Sequence, residues 1–90
     1  MAYIARADGT REDLAAARIS LKEAQRIVGG YVERVAPIHN RAVIFLCNEE
    51  GLLKGLPRND HGCELYGPSS PVVGDIIVMS REEAAAADWL

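Results

Sequence analysis

Apolar and polar positions divide this chain into short blocks with different periods. Leu21, Ala24, Ile27 and Val28 recur at helical spacing, which predicts a short helix over residues 21–28 with one face to bury. Ser20 precedes it as a cap, and Glu23 stands where a capping box needs a carboxylate. Gly29 suits the left-handed residue that ends a helix, and Gly30 allows an immediate reversal. Tyr31-Val32-Glu33-Arg34-Val35 then alternates like a strand with one solvated face, Pro37 closes it, and His39-Asn40 can turn the chain. Ala42-Val43-Ile44-Phe45-Leu46-Cys47 is apolar throughout, as a strand covered on both faces and placed mid-sheet would be.

Asn48-Glu49-Glu50-Gly51 reads as a turn in which Gly51 supplies a positive φ, with Leu52-Leu53-Lys54 returning antiparallel. Met1 to Arg6 is a first strand ending at the turn dipeptide Asp8-Gly9. Thr10 to Ile19 has two readings. Its alanines favour a helix, whereas the turn before it favours a strand pairing back. Gly55 to Pro71 is a long irregular stretch with a helical turn around Cys63-Glu64-Leu65-Tyr66. Val72 to Met79 is the last strand, with Gly74 a bulge or close-approach point. Ser80 and Glu83 form a second capping box ahead of a C-terminal helix.

The sum is one α+β domain over residues 1–90, with a core at 1–79 and a helix at 80–90. An antiparallel-dominated sheet of about four or five strands is covered on one face by the central Leu21–Val28 helix, with the C-terminal helix beside it. Leu52–Lys54 and the first strand are the expected sheet edges, and a homodimer follows from them.

A net charge of −3, with the ten basic residues scattered, argues against gripping nucleic acid through bulk electrostatics. The acids are too interleaved with bases for a nucleic-acid mimic. No apolar run approaches the roughly 20 residues needed to cross a bilayer. Met1 to Arg6 is too short and interrupted for a signal peptide, so a cytoplasmic location is expected. Two cysteines without Cys-x-x-Cys spacing make no disulfide framework.

The block Leu21-Lys22-Glu23-Ala24-Gln25, followed by Ile27-Val28-Gly29-Gly30-Tyr31-Val32-Glu33, then Asn48-Glu49-Glu50-Gly51, Leu56-Pro57-Arg58-Asn59 and Val73-Gly74-Asp75, resembles a family of small proteins of unknown function carried by phages, plasmids and bacteria. The resemblance spans roughly Met1 to Met79, with Arg81 to Leu90 outside it. It implies a mobile-element origin and an accessory role, and supplies no catalytic residues; a ligand captured in that context could be a nucleotide signal of host defence.

Two places could bind a ligand. The Gly29-Gly30 turn could offer backbone N–H groups as an anion nest, with Gln25 one turn earlier; its plainer reading is a helix C-cap. In Leu56-Pro57-Arg58-Asn59, Arg58 offers a donor fork for phosphate or carboxylate, and Asn59 a base-edge contact. The plainer reading has Asn59 capping the following helical turn and Arg58 solvated. A small anionic, nucleotide-like ligand would be gathered by Gln25, Gly29, Gly30, Arg58 and Asn59 across a shared hollow, with Tyr31 or Tyr66 stacking on it. The alternative is a module that binds a host protein through a sheet edge or the Trp89-Leu90 tail. His39, Cys47, His61 and Cys63 match no familiar metal spacing, so neither metal nor cofactor is expected. No nucleophile, oxyanion-hole or phosphate-loop motif marks an enzyme.

Overall fold

The structure is a computed structural model and describes residues 2–15, 19–37, 40–67 and 71–89. Its elements run β1 (Tyr3–Ala5), β2 (Arg11–Asp13), α1 (Leu21–Val28), β3 (Val32–Val35), β4 (Val43–Asn48), α2 (Asp60–Tyr66), β5 (Ile76–Ser80) and α3 (Arg81–Ala86). The strands form one five-stranded sheet in the order β2-β1-β5-β4-β3, and every pairing is antiparallel. The expected α+β class, sheet and central helix are therefore present.

Alternation along the strands sends side chains to two cores. Ile44, Leu46, Ile77 and Met79 face α1 and α3, where Ala24 and Ala84 allow close approach. Phe45, Ile76 and Val78 face the other way, toward Cys63 of α2 and Val72. α1 and α3 thus share one face, as expected, and α2, to which the sequence reading gave no face, covers the other. The element it under-read is α2, seven residues begun by Asn59 as N-cap.

Several local expectations are corrected. Leu52–Lys54 is not a strand but part of a turn, because Gly51, Lys54, Gly55 and Leu56 close on the chain through their own N–H groups. The first strand is not an edge: β1 lies between β2 and β5, and the edges are β2 and β3. Gly51 is not among the positive-φ glycines; a Cβ there would lie 2.7 Å from Val73 Cγ2, so lack of space demands the glycine. Leu21 is 56% exposed, outside the buried stripe of α1. Ser20 caps α1 by accepting the Glu23 N–H, but the Glu23 carboxylate pairs with Arg26 instead of closing a capping box. At α3 the box is complete.

Within Thr10–Ile19 the hairpin reading holds for Arg11–Asp13, which pairs with β1 across Asp8-Gly9. Residues 16–18, His39 of the expected turn and Leu90 of the tail lie outside the described residues. Trp89 folds back on the α1–α3 core and donates its indole Nε1–H to the Ile19 carbonyl at 3.0 Å.

Candidate functional site

The residues singled out from the sequence take up structural duties and divide between the two sheet faces. Gly29 ends α1 at φ 83° in the left-handed region. Its N–H and that of Gly30 both donate to the Gln25 carbonyl, at 2.9 and 3.1 Å. The would-be nest is thereby occupied by the helix's own last turn. Beneath it, Asn48 donates to the Val28 carbonyl, and a Cβ on Gly30 would lie 3.0 Å from that amide and 2.8 Å from Lys54 Nζ. Gln25 is half-buried on α1, and Tyr31 stands 65% exposed beside the turn.

Asn59 is fully buried and uses its whole amide. Its oxygen accepts the Gly62 N–H, and its nitrogen donates to the carbonyls of Ala5 and Gly74, each at 2.8 Å. Arg58 makes an isolated bridge with Val73, and its exposed guanidinium donates to Asp60 at 3.0 Å. This corner leads into α2 on one sheet face, whereas Gly29-Gly30 ends α1 on the other. No described cavity is lined by both places together. Tyr66 is separate again, its ring edge-on to Phe45 at 6.3 Å between centroids.

Tyr66 does, however, form part of a wall. Its helix α2 lies over β1 and β5, with His61 beside Tyr3 and Gly62 against Ile76. Beside it, over β3 and the Cys47 end of β4, lies a groove of about 460 Å³. Val35, Phe45 and Cys47 floor it; Tyr66, Val72 and Val73 form one side, and the turn carrying Leu52 and Leu53 the other. Leu52 and Leu53 are 65% and 87% exposed, unusual for leucines in a small domain. Glu33, Glu49 and Glu50 supply the charge, and among the described residues no lysine or arginine lines the groove. Burial pushes the Cys47 thiol up to about 11, with the Glu33 carboxylate adding to the effect.

A second, more polar cleft lies between the β1–β2 hairpin and the start of α2. There the Tyr3 hydroxyl and His61 Nε2 share a 2.6 Å hydrogen bond, and the Arg11 guanidinium lies 3.5 Å from the Tyr3 ring centroid. Burial raises the Tyr3 phenol, partly opposed by Arg11. Arg6 in the same cleft is already held by Glu12 and Asp75. His61 and Cys63 do not converge on a metal site: Cys63 bonds Val72, and among the described residues no group of three potential ligands is assembled.

The sequence reading missed the groove. Its signals were the paired leucines in a charged turn and Glu33 at a groove-facing position on a strand otherwise rich in valine. Neither resembles a motif, and both were read as secondary structure.

The model of a family described as Domain of unknown function (DUF3846) matches residues 2–88. No curated protein and no solved structure matches the chain.

Proposed function

The chain belongs to the family whose model covers nearly all of it, and on that premise we propose that it is a non-enzymatic interaction module whose groove takes an apolar and basic segment of another protein. The observation that carries this reading is an open apolar floor bordered by carboxylates, with no lysine or arginine among the described residues that line it. Apolar floor and exposed leucines supply the area whose burial drives association, and the acids select partners with lysine or arginine at the rim. A host protein is the natural partner class under the mobile-element origin that the resemblance implies.

A small anionic ligand is less well served. The Gly29 and Gly30 N–H groups are spent, Asn59 is enclosed, Arg58 is paired, and the groove repels negative charge. A second copy of the chain is also a poor occupant, because an isologous contact here would gather Glu33, Glu49 and Glu50 of both copies into one acidic interface. A homodimer would have to use another surface.

The test is selection from a displayed random-peptide library, repeated with Glu33→Lys and Leu53→Asp, both exposed changes that leave the cores intact. Enriched peptides should combine apolar and basic residues and lose binding to both variants. Acidic peptides, or peptides indifferent to both substitutions, would overturn the proposal.

A further inference from the structure

We infer that the occupant of the groove enters as an extended strand, adding antiparallel to the free edge of β3 as a sixth strand of the sheet. This rests on the interaction reading above and specifies its geometry. The register opposes Val32 to Asn48 and Val35 to Phe45, which puts Tyr31 opposite Glu49. Glu49 N–H donates to the Tyr31 carbonyl at 2.8 Å, so that pair is of the hydrogen-bonded kind. Such pairs alternate along an antiparallel ladder. Glu33 and Val35 therefore bond inward to Cys47 and Phe45, while the N–H and C=O groups of Val32 and Arg34 point outward, along an edge that no described strand occupies.

The side chains follow the complementary alternation. Glu33 and Val35 project onto the groove face, and Val32 onto the α1 face. A strand added at this edge would extend the groove floor, placing one side chain beside Val35 and the next on that face beside Glu33. An apolar residue suits the first position and a lysine or arginine the second. The opposite edge differs: β2 is three residues, Arg11-Glu12-Asp13, all exposed and all charged, the composition that discourages pairing. Among the described residues, it is at β3 that a free edge adjoins an apolar hollow and two exposed leucines. The occupant is thus a peptide segment of alternating pattern, basic and apolar on one side.

The probe is a labelled seven-residue peptide, Thr-Lys-Thr-Val-Thr-Lys-Thr, titrated against the full chain by fluorescence anisotropy and by amide NMR. Saturable binding is expected, with the Val32 and Arg34 amides shifted and newly protected from exchange. N-methylation of the two threonines flanking the valine removes donors aimed at β3 and should weaken binding about tenfold or more, whereas N-methylation of the valine, whose N–H points away, should matter little. Arg34→Pro removes an outward N–H without costing a β3–β4 bond and should abolish binding with the circular dichroism spectrum unchanged. Equal effects of both N-methylations, or undisturbed Val32 and Arg34 amides in a bound complex, would overturn strand addition while leaving the groove reading standing. Failure of this peptide to bind, where the library selection yields groove binders, would likewise overturn strand addition alone.

Discussion

Asn59 and Gly74 are joined by a 2.8 Å bond from the side-chain nitrogen of one to the main-chain oxygen of the other, inside a side chain with no solvent exposure. Removing that amide takes a donor from each of two buried carbonyls and the cap from one helix N–H together. Asn59→Ala is expected to destabilise the fold by about 3 kcal/mol, read from urea denaturation. Asn59→Asp should do no better at neutral pH: a carboxylate still caps α2, but it faces the Ala5 and Gly74 oxygens without a proton to offer.

Cys47 should resist alkylation through neutral pH and react with a midpoint near its pKa of about 11. Glu33→Gln should lower that midpoint, since a neighbouring negative charge opposes the thiolate. The folded-state value lies above the ordinary one of 9.0, so this group's contribution to stability is full below pH 9 and is lost as pH rises through 11. Denaturation midpoints measured across that window should fall more steeply than those of Cys47→Ala.

The capping box at α3 has the opposite pH signature. The Ser80 backbone N–H donates to the Glu83 carboxylate at 2.9 Å and holds its pKa below the usual range, so the stabilisation is present above the ordinary carboxylate value and lost as pH falls. Ser80→Ala should cost about 1 kcal/mol in urea denaturation at neutral pH.

Gly29 and Gly51 should fail for different reasons when changed to alanine. At Gly29 no atom lies within 4 Å of the added Cβ, so the cost is left-handed strain of about 1 kcal/mol, and Asn at that position should recover part of it. At Gly51 the backbone is ordinary but the Cβ meets Val73, so Gly51→Ala should be relieved by Val73→Ala in a double-mutant cycle.

The single tryptophan reports on the C-terminal packing. Trp89→Phe keeps most of the apolar contact but leaves the Ile19 carbonyl without its donor, an expected loss of about 1 kcal/mol in thermal or urea unfolding. In the parent chain, indole fluorescence should shift to longer wavelength on unfolding.

The sequence made α1, its glycine stop, the apolar β4 and the last strand legible because period and capping are local properties. Asn59 could be read as a cap for the same reason. Its bonds to Ala5 and Gly74 could not, since they join segments distant in the chain. Leu52 and Leu53 misled for a related reason: two leucines after a turn fit a returning strand, and it is the hydrogen bonds closing residues 48–56 into turns that show otherwise. The candidate site failed at the same level. Gly29 and Arg58 each carried plausible chemistry, but the sheet that separates them is a property of the whole topology.

That topology also dictates when the fold can exist at all. β5 joins two hairpins, β1–β2 and β3–β4, that share no hydrogen bond with each other. A chain still emerging from the ribosome and halted before Ile76 would hold two unconnected ribbons, with the oily flank of β4 bare. A chain lacking β5 should therefore not fold, since a lone two-stranded hairpin is marginal in water, and it would be left as a substrate for chaperones and proteases.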